Sequence, residues 1–367
     1  PGREALRATL QRTQRSASHV CLYLGFNATD EELGLGRSNL WVYNSPDQDG
    51  DLARYRADPV APLPMVYISF PSAKDPDFAV QGEYVGQGVM ANGRQEKVAA
   101  QVIAQGGGKF QVVVYRGGLP GDGWKRGDDR FNVEGQREGS VTTLKGQKME
   151  GKIADGKLTV SSPSGKGKME MERIERKSPT LGAKPPAGAN VLFDGTSAEK
   201  FDNPRHLTES GTLLSGVTSK DKFNDYTLHL EFLLSWMPEA RGQGRSNSGV
   251  YVHDCYELQV LDSFGLEGRN NECGGFYSIR EPDVNMCLPP LAWQTYDIDF
   301  TAPKYREGKK VSNARITLRH NGVVVHDMEL PRGTPGRKAE GPGPRPLHVQ
   351  GHGNKVQYRN IWVVEKG

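Results

Sequence analysis

The stretch Gly249–Leu261 carries the densest set of side chains able to do acid–base chemistry. Read as one continuous strand, its side chains alternate between two faces. Tyr251, His253, Cys255, Glu257 and Gln259 share one face; Val250, Val252, Tyr256, Leu258 and Val260 share the other, which is apolar apart from Asp254. A solvated sheet face usually shows Lys, Thr and Ser. His, Glu, Gln and Tyr instead suit a wall that faces a ligand, with an ordinary solvated face as the plain alternative. Glu257 is the carboxylate of that wall. Asp262 falls on the other side of the alternation, so a simple strand cannot aim both carboxylates at one reacting bond, as a paired-carboxylate mechanism with roughly 5–9 Å between the groups requires. A bulge or strand end at Leu261 would rescue the pair.

The best second group is His352, in Gln350-Gly-His-Gly353, where glycines on both sides let the ring project. His253 and Glu257 would stand about 13 Å apart along a strand, too far to ligate one metal together. A divalent metal held by His352 and a carboxylate stays open, since no spacing demands one. Arg359 and Asn360 point to opposite faces of the final strand, and Arg359 suits a ligand oxygen or a carboxylate partner. Asn247, in a Ser/Asn/Gly turn, is a hydroxyl donor or a cap. Glu272, in a Gly/Asn-rich loop, reads equally as a solvated acid or a catalytic one.

The elements that position these groups are mainly β. The chain has 367 residues, 45 of them Gly and 23 Pro, which indicates many turns, short strands and more than one core. A net charge of +3 gives no nucleic-acid footprint, and no run of about 18 apolar residues offers a membrane span. The chain begins at Pro1 rather than Met, so export cannot be judged from its first residues. Cys273 and Cys287 suit either a disulfide in an oxidising compartment or two buried thiols.

Three blocks and a linker are expected. Residues 1–78 form a short α/β fragment, with a helix over Glu4–Arg15 and strands at Val20–Gly25 and Met65–Phe70. Residues 79–178 form a small antiparallel β-meander, with a hairpin turn at Gly106-Gly-Gly108 and another turn signal at Ala154-Asp-Gly-Lys157. Residues 179–190 are a Pro/Gly linker. Residues 191–367 show many short strands with a hairpin signal at Asn321-Gly322, the pattern of a sandwich or jelly roll.

Five motifs in this last block match in order and spacing. Leu192-Phe-Asp-Gly195, Asn247-Ser-Gly-Val-Tyr251, Tyr256-Glu-Leu-Gln-Val-Leu-Asp262, Leu347-His-Val-Gln-Gly-His-Gly353 and Tyr358-Arg-Asn-Ile361 resemble the 3-keto-disaccharide hydrolase family. The resemblance implies a concanavalin-like β-sandwich and an enzyme that cleaves glycosidic bonds next to a C3 ketone. The ketone acidifies the C2 proton, the resulting enolate expels the C1 substituent, and water adds later. Glu257 or His352 would be the base. Gln259, Arg359 and Asn247 would be donors, while Tyr251, His253, Asp262, Glu272 and Gln350 complete the substrate-binding set. The partner implied is an oligosaccharide or glycoside, and the family is periplasmic or secreted. A conventional two-carboxylate glycosidase and a non-catalytic sugar-binding module remain as alternatives.

Residues 1–78 resemble a piece of the flavin-dependent carotenoid desaturases and retinol saturases. The match is carried by Ser18-His-Val-Cys-Leu-Tyr-Leu-Gly25, Glu32-Leu-Gly-Leu-Gly-Arg-Ser-Asn-Leu-Trp-Val-Tyr43 and the segment Pro64–Pro76. Such enzymes hold their flavin on a strand–GxGxxG–helix unit, which this sequence lacks, so no flavin is expected.

Overall fold

The computed structural model describes residues 40–43, 45–58, 65–68 and 75–366, apart from positions 148, 163, 166 and 209. The expected helix Glu4–Arg15 and strand Val20–Gly25 lie outside the described residues. The chain divides into two compact units, Pro1–Pro76 and Asp77–Gly367. In the first, Leu40–Tyr43 pairs antiparallel with Met65–Ile68. The helix Gln48–Ala57 lies between them in sequence, its N-terminus capped by Asp47.

The second unit begins with eight antiparallel strands that follow one another along the chain from Gly82–Val89 to Lys168–Ile174. The expected meander closes on itself as a barrel, because the last strand pairs with the first from Glu83 to Val89. Closure needs tight backbone approach: a Cβ at Gly86 would stand 1.9 Å from the Glu170 carbonyl oxygen. Val98, Ala100, Val102, Val112 and Val114 fill the barrel. The alternate residues Ile103, Val113 and Tyr115 face outward and join the core of the next domain. Both faces of these strands are therefore buried, which is why they read as unbroken apolar runs.

Two sheets form the sandwich. The larger runs Asn190–Phe193, Gln357–Glu365, Tyr226–Leu233, Trp293–Thr301, Ala314–His320, Val323–Leu330. The smaller runs Val217–Phe223, Arg345–Gly351, Ser248–Val252, Tyr256–Val260. Leu228, Leu230, Phe232, Ile298 and Phe300 of the larger sheet pack against Val250, Val252, Leu258, Val260 and Val349 of the smaller in one core. Each such fully buried side chain contributes roughly 1.5–3 kcal/mol.

The odd-numbered residues of Tyr226–Leu233 face away from this core, yet His229 and Glu231 are buried. The Pro/Gly segment lies over them. Gly182 N donates to Glu231 Oε1 at 2.6 Å, Thr180 Oγ1 donates to Asp297 Oδ2 at 2.6 Å, and Asn360 Nδ2 donates to the Ala183 carbonyl at 2.9 Å. A bulge at Asn360, with φ 47°, lets both Asn360 and Arg359 reach Glu231 (2.9 and 2.7 Å) rather than opposite faces. Burial alone would raise the Glu231 pKa; hydrogen bonds from His229, Asn360, Arg359 and Gly182 outweigh it and bring it down to about 2.

The stability this carboxylate contributes is present above its unfolded value of 4.5 and is lost as pH falls towards about 2. Glu231→Gln should therefore cost on the order of 2 kcal/mol at pH 7. The gap should close at pH 2.5, as read from denaturant midpoints at both pH values. Equal midpoints at pH 7 would contradict this.

Candidate active site

The stretch Gly249–Leu261 is not one strand. Ser248–Val252 and Tyr256–Val260 form a hairpin, with His253 and Asp254 in left-handed backbone (φ 53° and 55°) at its turn. Asp254 is buried there against Arg337 and Lys338. The expected face survives in part, because the hairpin register sets Tyr251 opposite Glu257 and Gly249 opposite Gln259. His253 and Cys255 leave it. The turn carries His253 into the core, where its ring lies 5.5 Å from Phe300 and its Nε2 bonds the Gly343 carbonyl at 3.1 Å. Burial lowers its pKa to about 4. Cys255 is a core residue.

A further extended segment lies beside Tyr256–Val260. Phe276 bridges Leu258, Tyr277 N donates to the Glu257 carbonyl at 3.2 Å, and Gln259 N donates to the Gly275 carbonyl at 2.9 Å. In this register one transverse row runs Thr218, His348, Tyr251, Glu257, Tyr277. The neighbouring row runs Gln350, Gly249, Gln259, Gly275. The glycines leave room where side chains would stand. A Cβ at Gly249 would lie 2.4 Å from Glu257 Oε1, so the carboxylate occupies the space that glycine vacates.

Above these rows is a cavity of about 210 Å³. Six of the expected site residues line it: Asn247, Tyr251, Glu257, Gln259, Gln350 and His352. Gln243, Tyr277, Pro335 and Gly336 line it as well. These four were not singled out from sequence. Pro335 and Gly336 belong to a Pro/Gly-rich stretch (residues 331–346) that reads as plain loop, and Gln243 lies in a similar Gly-rich run. Tyr277 follows two glycines, and its place beside Glu257 depends on long-range pairing.

Four expected residues lie elsewhere. His253 is in the core, as described. Asp262 is buried against Arg245, whose Nε donates to it at 2.6 Å. Glu272 Oε2 accepts from Gly268 N at 2.6 Å and Arg269 N at 2.9 Å, closing its own loop. Arg359 is on the larger sheet, paired with Glu231 and stacked 4.0 Å over the Trp293 ring. The pair Glu257–Asp262 therefore does not share a site.

The cavity's hydrogen bonds sort its residues by what they have left to offer. Asn247 Nδ2 donates to the Gln243 carbonyl at 2.7 Å and to Gln243 Oε1 at 3.2 Å. Gln259 Nε2 donates to Asn247 Oδ1 at 2.8 Å and the Ser248 carbonyl at 3.0 Å. Both amide groups are spent on the wall itself, which removes them as donors to a substrate. Asn247 N also donates to Asn354 Oδ1 at 2.8 Å, which ties down the loop that carries His352.

Tyr251 Oη donates to Glu257 Oε2 at 2.7 Å. Burial first, and then the carboxylate, raise the Tyr251 pKa, so the phenol keeps its proton. Among the described residues Glu257 Oε1 takes no hydrogen bond. Glu257 is 3% exposed, and burial pushes its pKa up to about 7 despite the bond from Tyr251. Next in the row, burial holds His348 neutral with a pKa near about 4, and its Nδ1 bonds Thr218 Oγ1 at 3.0 Å. Among the described residues no cluster of three or more His, Cys, Asp or Glu side chains is placed to hold a metal. No helix among them is long and apolar enough to cross a membrane.

Residues 188–364 match the model of the 3-keto-alpha-glucoside-1,2-lyase-like domain. The match takes in just under half of the chain, and this part is similar to that family. Two solved structures from Parabacteroides distasonis ATCC 8503, both described as candidate glycosyl hydrolases, are similar to it. One is 29% identical, covering 49% of this chain and 85% of that one with a TM-score of 0.45. The other is 17% identical, covering 49% and 94% with a TM-score of 0.37. A short stretch of 59 residues is 42% identical to the Danio rerio protein named inactive all-trans-retinol 13,14-reductase, covering 15% of this chain. The chain spans about a tenth of that relative's length (10%).

A carboxyl whose pKa is raised on folding holds its proton while the unfolded chain has lost it. Stability therefore falls as pH rises from 4.5 to about 7. Glu257→Gln should match the parent at pH 4 and exceed it by about 1–3 kcal/mol at pH 8. Thermal melts at the two pH values check this, and a variant less stable at pH 8 would contradict it.

Proposed function

We propose that the cavity on the smaller sheet cleaves the glycosidic bond of a 3-keto-glycoside, with Glu257 as the base. The observation that carries this reading is the state of Glu257. Among the described residues it is the only carboxylate lining the cavity; one oxygen is held by Tyr251 and the other meets no donor there. Its pKa near about 7 suits a general base at neutral pH, where proton removal and the required ionised form coexist.

The C2–H bond breaks as its proton moves to Glu257 Oε1, and the electron pair becomes the enolate over C2, C3 and the C3 oxygen. The C3 carbonyl re-forms as C1–C2 gains a double bond and the C1–O bond breaks. The departing oxygen takes a proton from His352, whose loop lines the cavity's edge and is exposed. Water then adds its oxygen at C1 and gives a proton to His352, and Glu257 returns its proton to C2.

Two features favour this over a conventional glycosidase. Asp262 is committed to Arg245 and lies outside the cavity lining, so among the described residues no second carboxylate stands beside Glu257 as direct hydrolysis by a pair uses. The cavity, at about 210 Å³, is also smaller than the roughly 300–1,000 Å³ of sites for drug-sized ligands, which suits one sugar ring. A purely sugar-binding module, for its part, gains nothing from a carboxyl kept near half-ionisation.

The test is aglycone release from a 3-keto-disaccharide and from its unoxidised parent. Release is expected from the keto compound alone. kcat/KM should rise with pH through about 7, because the ionised base is the active form. Glu257→Gln should lower the rate by about 10²–10⁴-fold. Equal cleavage of both sugars, or a fully active Glu257→Gln protein, would overturn the reading.

A further inference from the structure

The elimination needs a donor for the oxygen that becomes negative at C3, and most donors in the cavity are already committed. Asn247 and Gln259 use both hydrogens of their amides on the wall. Tyr251 gives its hydrogen to Glu257. Gln350 Nε2 reaches Tyr251 Oη only at 3.4 Å. Gln243 Nε2 donates to the Asn271 carbonyl at 2.7 Å. Arg359, the remaining donor that the sequence suggested, is on the other sheet.

Tyr277 is different. Its side chain lines the cavity and is half-buried, and among the described residues its hydroxyl has no hydrogen-bond partner. The backbone bond from Tyr277 N to the Glu257 carbonyl, with the Phe276–Leu258 bridge beside it, sets Tyr277 directly across from Glu257 on the same face. Side chains in such a pair stand about 4.5–5.5 Å apart at Cβ. That spacing lets one group take the C2 proton while its neighbour meets the oxygen one carbon away. Tyr251 occupies the opposite flank of Glu257 and holds Oε2, so among the described residues Oε1 and the Tyr277 phenol are the uncommitted groups of this row.

We propose that Tyr277 is a catalytic residue whose phenol donates a hydrogen bond to the C3 oxygen as the enolate forms. The proposal rests on the 3-keto-glycoside reading of the site. No proton is transferred from Tyr277 in the step. The C2 proton goes to Glu257, the charge gathers on the C3 oxygen, and the phenol O–H shortens its contact as that charge grows. The interaction is stronger to the enolate than to the ketone, so it lowers the barrier rather than the substrate's dissociation constant.

The experiment follows two readouts on a 3-keto-glycoside in deuterated water: deuterium entering C2, and release of the aglycone. Because the Tyr277 hydroxyl has no hydrogen-bond partner among the described residues, Tyr277→Phe should keep the parent's melting temperature. Its kcat should fall by about 10²–10³-fold for exchange and release together, with KM little changed. Exchange that persists while release is lost would overturn the proposal, because the phenol would then serve the leaving group. Parental rates for both would overturn it too. A parent protein that neither exchanges nor cleaves sinks the reading of the whole site, an outcome distinct from either.

Discussion

Glu257 is 3% exposed, and a carboxyl so placed loses hydration when it ionises unless neighbours offset the cost. Here the offset is partial by construction. Tyr251 gives one hydrogen bond to Oε2, the facing position is Gly249, and Oε1 is left bare. The result is a group poised near neutrality, in contrast to Glu231 on the other sheet. Glu231 is equally buried but bound by His229, Asn360, Arg359 and Gly182, and its pKa is driven down to about 2. Two carboxylates at similar depth thus differ because one is fully paired and the other is not. The paired one holds the polypeptide together; the other is free to exchange a proton.

The rest of the second unit keeps that arrangement rigid. The smaller sheet presents Glu257 because its other face is committed to the sandwich core through Val250, Leu258, Val260 and Val349. The barrel contributes Ile103, Val113 and Tyr115 to the same core and clasps the loops beyond it. Arg126 donates to the Gly268 and Pro282 carbonyls at 2.8 and 2.7 Å, and Arg245, which pairs with Asp262, also reaches the Ala104 carbonyl at 3.3 Å. Thr334 Oγ1 accepts from Glu257 N at 2.8 Å, so the loop with Pro335 and Gly336 is tied to the strand that carries Glu257. A site on a sheet face, buttressed from below and strapped from above, keeps its groups at fixed separations.

Much of this was legible in the sequence, for reasons that can be stated. Alternation placed Tyr251, Glu257 and Gln259 on one face, and a hairpin preserves that grouping because its register pairs odd residues with odd. The same alternation failed for His253 and Cys255, since only long-range contacts reveal that a tight turn at Asp254 interrupts the strand. The glycines flanking His352 show only that its ring can project; the family resemblance of residues 347–353, not the residues alone, points to His352 and Gln350 as cavity residues. For Arg359 the sequence leaves open a sugar oxygen or a carboxylate partner, and the structure supplies the carboxylate, Glu231. For Asn247 it leaves open a hydroxyl donor or a cap, and the amide hydrogens go to Gln243, because whether a hydrogen is already spent depends on partners distant in sequence or hidden in a loop. Tyr277 was missed because its row is built by pairing with Glu257 across 20 positions of chain. The barrel's strands were legible as a meander; its closure, set by glycines such as Gly86, was not.

The central claim is that one buried carboxyl in this molecule titrates near neutral pH because its site leaves it half-satisfied. Carbon-13 NMR of protein labelled at the glutamate side-chain carboxyl carbon measures this directly. The account predicts one resonance that titrates near pH 7 and vanishes in Glu257→Gln. A spectrum in which every glutamate has finished titrating below pH 5 would contradict it.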